Sequence, residues 1–178
     1  LDMVDDILSL SRIEAGQIDL KLDPFDPVQL MEDIGLMITP RAESKGLIFN
    51  LELDPALPCH VQGDEGKVRQ VLINLLRNAL DATKGVTDPE VILLLSVSDE
   101  VLITVRDNGV GIDDLESLFE PFYTTKAPGD GVGLGLAISS GIVNDLGGRM
   151  TAKNGQSGGA LFEIRLPLAD LAAGKAAE

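Results

Sequence analysis

The stretch that most limits the possible folds is residues 63–107. Within it "GDEGKVRQVLINLLRNALDATKG" (63–85) has the period of an amphipathic helix, with Val68, Leu72, Leu75, Leu76, Ala79 and Leu80 along one face. Asp64 is a suitable N-cap, since its carboxylate can accept from the first free N–H groups. Two apolar strands follow at once, "EVILLLSVS" and "EVLITVRD", joined by a short Asp-Glu turn. An amphipathic helix beside paired strands must bury its stripe on a sheet. Further strands are expected at 47–53, "GGRMTAKNG" and "GALFEIRLP", and a further helix opens at Asp26 and Pro27. Pro40 is expected to kink or split that helix, and Gly46 to end it. The grouping predicts an α/β chain, a two-layer sandwich with a mixed, largely antiparallel sheet and helices on one face.

Composition narrows the class. The 178 residues suit one domain of ordinary size, and 44% hydrophobic residues can supply a core. With no Trp and 3% aromatics that core must be aliphatic. The formal net charge of −15 repels nucleic acid and anionic membranes, so nucleic acid is excluded as a partner. An anionic small ligand would need local help from helix N-termini, a metal or a few placed cations. Cys59 is the single cysteine, which excludes an intrachain disulfide and a multi-cysteine metal site; a small semi-buried side chain is the expected role. No run of 18 apolar residues predicts a membrane span, and no signal peptide is visible. The chain begins with Leu1 rather than Met, as a fragment of a longer protein would. "LDMVDDILSLSRIEAG" (1–16) reads as a helix with two apolar stripes, suited to a bundle.

Three polar constellations carry possible chemistry. On helix 63–85, Gln70, Asn74, Asn78 and Asp81 stack along one face at spacings of four, four and three. They are either a solvated face or a set of oxygens for a hard cation, as magnesium takes few protein ligands and completes its shell with phosphates. "RDNGVGID" (106–113) ends a strand in Asp107 and follows it with Gly109 and Gly111. That is an ordinary turn, or a carboxylate for an exocyclic amine with glycines beside a flat ring; a carboxylate favours adenine over guanine. "LFEPFYTTK" (118–126) brings Thr124, Thr125 and Lys126 close before "GDGVGLGL" (129–136), with Phe119 and Phe122 expected to anchor the loop. Hydroxyls, a cation and free N–H groups at a glycine-rich helix start suit a polyphosphate. The glycines fit neither the dinucleotide spacing nor a phosphate loop ending in G-K-[S/T]. Residues 108–130 otherwise read as a long loop with one short helical piece.

Taken in order, these segments resemble the catalytic, ATP-binding domain of sensor histidine kinases. "NLLRNALDA" looks like the family's N box, "DNGVGI" its first glycine box, "FEPFYTTK" its F box and "GVGLGL" its second glycine box. "LSLSRIEAG" resembles the end of the second helix of the dimerisation domain. "PFYTTK" further suggests the nitrogen-regulation and dicarboxylate-sensor branch. The resemblance implies the Bergerat fold, and a division into a helix end (1–16), a linker or strand (17–24), an ATP-binding domain (25–168) and a frayed tail (169–178). It implies ATP and Mg2+ as cofactors. Asn78 would ligate magnesium, Asn74 would lie near the phosphates with Asp81 in the same site, and Asp107 would take the adenine amine. Gly109, Gly111 and Ile112 would shape that pocket under a lid of residues 113–130. Thr124, Thr125, Lys126 and the stretch Gly131, Val132, Gly133, Leu134, Gly135 and Leu136 would face the nucleotide. No catalytic side chain is assigned.

The implied reaction is transfer of the γ-phosphoryl group to a histidine on the dimerisation domain. Partners would be that helix of the parent chain, a response regulator, and a second copy in a full-length homodimer. The location implied is cytoplasmic, with a parent that can be membrane-bound. The only histidine, His60, lacks the acceptor surroundings and reads as a surface or strand residue. Two departures stand out. Where related ATPases place a glutamate base, this chain has Asn74, which cannot take a proton, so direct hydrolysis should be poor. Leu161 stands before Phe162 where the family often has a hydroxyl. The competing functions are a nucleotide-sensing module without transfer, an ATP-driven clamp, which Asn74 argues against, and a serine kinase of the anti-sigma type, which the N-terminal helix disfavours.

Overall fold

The computed structural model describes residue 11 and residues 20–58, 60–126 and 131–168. The expected helix over 1–16 apart from residue 11, residues 17–19 of the expected linker, Cys59, lid residues 127–130 and the tail from residue 169 lie outside the described residues. The described elements run β1 (Asp23–Phe25), α1 (Pro27–Glu43), β2 (Ile48–Leu53), β3 (Val61–Gly63), α2 (Glu65–Ala82), β4 (Glu90–Val97), β5 (Glu100–Asp107), α3 (Gly135–Asp145), β6 (Arg149–Asn154) and β7 (Ala160–Pro167).

Five strands form the main sheet in the order β2-β4-β5-β7-β6. The β2–β4 pair is parallel; the β4–β5, β5–β7 and β6–β7 pairs are antiparallel. The mixed, largely antiparallel sheet is therefore as expected. The strands alternate cleanly: Val91, Leu93 and Leu95 on β4, Val101, Ile103 and Val105 on β5, and Phe162 and Ile164 on β7 are buried. Against them lie Leu72, Leu75 and Leu76 of α2, Leu30, Met31, Ile34 and Ile38 of α1, and Leu134, Ile138 and Ile142 around α3. Each such side chain contributes about 1.5–3 kcal/mol when fully buried, so the aliphatic core alone can hold the layers together. Outside this sheet, β1 pairs antiparallel with β3, joining Asp23 to Gly63. Residues 23 and 24, expected in the linker, thus pair with this unit.

The caps are where the sequence puts them. Asp26 accepts from the N–H groups of Val28 and Gln29 ahead of Pro27, and Asp64 from Lys67. Three expectations are corrected. Pro40 does not split α1, which runs unbroken to Glu43. It sits in the last turn on an exposed flank, beside Leu36 at 76% exposure, where water can reach the carbonyl that loses its partner. The β4–β5 turn is Ser98-Asp99, with Glu100 already in the strand. Between Asn108 and Lys126 the chain makes turns and bends, with no helical piece among the described residues.

Candidate nucleotide site

Two clusters of polar groups meet at the C-terminal turn of α2. The first is built around Asp107, the last residue of β5. The residue is 3% exposed. One oxygen, Oδ1, accepts from the N–H of Gly109 at 2.8 Å and of Ala160 at 3.2 Å. Among the described residues both bonds fall on Oδ1, which leaves Oδ2 for another donor. Burial pushes the Asp107 carboxyl above the ordinary carboxylate range, against the pull of its two N–H donors. An acceptor so placed gains most from a donor that arrives without a counter-charge.

The turn after Asp107 is held on several sides. Val110 donates its N–H to the Ala82 carbonyl at 3.2 Å, and a side chain on Gly109 would come within 2.5 Å of that same oxygen. Gly111 has φ +81°, a conformation that favours glycine. The side chain of Asn154, at the end of β6, accepts from Ile112 N–H at 2.7 Å and donates to Ile112 carbonyl at 2.9 Å. Gly159 lies so close to the main chain of Asp107 and Asn108 that no Cβ fits. Asn108 in turn ties Glu90 and Asp88 across the start of β4. Asn154, Gly159 and Asn108 were not singled out from the sequence. The "NG" after β6 was a visible signal, but what these residues touch depends on strand register.

The second cluster is built around Lys126. Its ammonium donates to Asn78 Oδ1 at 3.1 Å and to Asp81 Oδ2 at 2.9 Å. Asp81 Oδ1 also faces Lys84 at 3.2 Å and Lys45 at 3.7 Å. Partial burial works to raise the Asp81 pKa, but Lys126 and Lys84 outweigh it and hold the carboxyl below its usual range. An amide oxygen and a carboxylate oxygen thus converge on one cation. That donor set fits a hard metal ion, with the ammonium showing that the spot favours positive charge. No group of three or more His, Cys, Asp or Glu poised for a metal exists among the described residues. A magnesium site here would therefore draw on few protein oxygens.

Asn74 lies one turn before Asn78. Its Nδ2 donates to Ser139 Oγ of α3 at 2.9 Å, and a Cβ on Gly135 would sit 2.5 Å from its Oδ1. Gly135 is therefore glycine because α2 presses against the first turn of α3. Gln70 does not join the line; it is exposed, a turn too far along α2. Thr124 and Thr125 are exposed, and Thr124 Oγ1 accepts only from Lys126 N–H, at 3.2 Å. Gly131 is exposed, while Val132, Gly133, Gly135 and Leu136 are half-buried. Leu134 is 1% exposed, so its side chain belongs to the core and only its backbone can meet a ligand.

One anchor is corrected. Phe122 is 62% exposed with φ +68°, so it does not hold the loop down. Its N–H donates to the Gly133 carbonyl at 2.9 Å, and Gly133 has φ +75°. Leu118, Phe119 and Tyr123 make the apolar contacts instead. His60 is exposed, as expected of a surface residue.

Known proteins share this fold. The family described as histidine kinase-, DNA gyrase B-, and HSP90-like ATPase matches residues 63–170. The chain is 36% identical over 174 residues to the sensor protein TorS of Escherichia coli, covering 94% of this chain and 19% of that protein. It is 40% identical over 143 residues to the C4-dicarboxylate transport sensor protein DctB of Pseudomonas aeruginosa, covering 76% of this chain and 23% of that one. The chain thus spans about a fifth of the length of these curated relatives. Among solved structures, full-length ShkA in complex with AMPPNP superposes with a TM-score of 0.82 at 32% identity, covering 94% of this chain and 35% of that chain. The catalytic domain of histidine kinase ThkA gives 0.73 at 27% identity, covering 83% of this chain and 96% of that one. The relatives carry the names of different sensors at comparable identity, which places the resemblance at the level of the family rather than of one branch. With four motifs in order, a Bergerat fold and these relatives, TorS and DctB named as sensors and ThkA as a histidine kinase, the chain belongs to the histidine kinase-, DNA gyrase B- and HSP90-like ATPase family.

Proposed function

We propose that this domain binds Mg-ATP between its two clusters and delivers the γ-phosphoryl group to a histidine on a helix of its parent protein. The observation that supports this reading best is at the end of α2. Its final turn meets the Asp107 loop through the Ala82 carbonyl and meets Lys126 through Asp81. One rigid helix end therefore spaces a purine-sized acceptor from a phosphate-sized cation cluster. Asp107 Oδ2 takes the adenine amine, and Gly109, Gly111 and Ile112 present backbone to the ring. Asn78 holds the metal ion, with Asp81 close by. Lys126, Thr124, Thr125 and the N–H groups of residues 131–136 serve the phosphates. Magnesium, when bound, supplies charge neutralisation across the phosphate oxygens.

The choice of acceptor follows from the same residues. Water needs a base to become a nucleophile, and Asn74 is an amide already committed to Ser139. A neutral imidazole nitrogen attacks with its own lone pair and needs none. Positioning and electrostatics then supply the catalysis. Such a domain works on the cytoplasmic side, where ATP is, with a response regulator as the next acceptor and a homodimeric parent presenting the helix. No helix among the described residues is long and apolar enough to cross a membrane. The test mixes the chain with a separately produced acceptor-helix domain of its parent and γ-labelled ATP. Label on the acceptor histidine is expected; saturable ATP binding without label would favour the sensing module instead, and no binding would end both.

A further inference from the structure

We propose that Asn154 is a positioning residue for adenine recognition, and that it sets the selectivity of the site for a purine bearing an exocyclic amine. The inference rests on the reading of Asp107 above and extends it to a residue outside the motifs. The turn 108–112 has two feet. The first is fixed by the strand: Ala160 and Gly109 both donate to Asp107 Oδ1. The second, at Ile112, is past the end of β5 and has no strand partner. There Asn154 takes over.

The geometry is specific. Asn154 stands opposite Ala160 in the β6–β7 register, and Ala160 is the residue whose N–H reaches Asp107. Asn154 therefore occupies the same rung of the sheet as the recognising carboxylate. Its carboxamide then grips Ile112 as a strand neighbour would, donating to the carbonyl and accepting from the N–H. Gly111 completes the fit: a Cβ there would lie 2.9 Å from Asn154 Oδ1. The glycine makes room for the amide as well as for a ligand.

The consequence runs through Gly109. When the far foot of the turn is loose, Gly109 N–H no longer stays on Asp107 Oδ1, and the carboxylate is free to rotate. A rotated carboxylate no longer offers one defined oxygen to the amine. Affinity for a purine that presents an amine should then fall, while binding through the phosphates continues.

The experiment measures dissociation constants of the chain for Mg-ATP and Mg-inosine triphosphate by calorimetry. Inosine presents an oxygen where adenine presents the amine. For Asn154→Ala, ATP affinity is expected to drop about five- to tenfold, the scale of two solvent-reachable hydrogen bonds, with inosine triphosphate changing less than about twofold. Asn154→Asp keeps the acceptor for Ile112 N–H and should recover part of the ATP/inosine ratio. A parallel fall for both nucleotides, or an unchanged ratio, would overturn the proposal. Should Asn154→Ala not fold, Asn154→Ser, too short to make both bonds to Ile112, carries the test alone: an unchanged ratio there sinks it too. Wild-type protein that binds neither nucleotide would refute the ATP reading instead, which keeps the two failures apart.

Discussion

The adenine end and the phosphate end of the site are built on opposite plans. Around Asp107, Oδ1, the Val110 N–H and both polar groups of Ile112 are tied to a strand, to the end of α2 or to Asn154, and glycines mark places where backbones nearly touch. Around Lys126, the groups are partly exposed side chains, one from the loop and two from the last turns of α2, held by one another. The first plan fixes an acceptor before any ligand arrives; the second leaves charges that can rearrange around a polyphosphate. Recognition of the base and accommodation of the phosphates are thus assigned to different mechanical regimes.

The sharpest way to break that contrast is Asp107→Asn. Its amide nitrogen would stand where Oδ2 does and face the incoming amine donor to donor. ATP affinity should fall about 100-fold, the scale of a lost charge-assisted bond plus an unsatisfied donor, with the circular dichroism spectrum unchanged. The pH dependence carries the same sign. Burial raises Asp107 above its ordinary value while Asp81 is held below its own, so on acidification Asp107 protonates before Asp81 and loses its acceptor character. ATP binding should therefore weaken at a pH where Asp81, held low by its lysines, is still ionised. Stability follows the linkage rule. The raised Asp107 contributes in full below its unfolded pKa, and that contribution is lost as pH rises through its folded value. The lowered Asp81 contributes above its unfolded pKa, and that is lost as pH falls through its folded value.

Next in size is Gly159→Ala. It combines φ +73° with a Cβ driven onto the Asp107 carbonyl, and should cost about 2–3 kcal/mol of stability in chemical denaturation. Lys126→Met comes third. It should lower ATP affinity about tenfold while moving the denaturation midpoint little, because an ion pair with both partners about a third exposed contributes little to folding. Smallest of all is Gly131→Ala. Among the described residues its Cβ would meet only Lys126 Cδ, at 3.5 Å, and stability should change by less than about 0.5 kcal/mol. A large loss at Gly131 and a small one at Gly159 would reverse the contrast.

What could be read from the sequence followed from periodicity and local chemistry. The α2 stripe, the β4 and β5 alternation and the two aspartate caps are short-range patterns, and they folded as their spacing implied. Asn78, Asp81 and Lys126 were picked out on two separate motifs, and the structure brings the three together. Asn154 and Gly159 were missed because their partners lie more than forty residues away and are defined only by strand register. Phe122 was misread for a related reason. In a loop without a period, nothing in the sequence says which of two phenylalanines turns inward. Pro40 was overweighted because the penalty for a helical proline shrinks in a last turn that faces water.

The triple company of Asp81 has one more implication. Lys45, Lys84 and Lys126 come from three separate segments, yet a single carboxylate serves them all. One anion cannot cancel three ammonium groups, so among the described residues a small electropositive island survives on a molecule whose overall charge is −15. A polyphosphate drifting up to the molecule meets repulsion from the overall charge and attraction from these three ammonium groups. The island thus acts as a beacon for encounter, and its pull should dim as dissolved salt thickens the ionic screen.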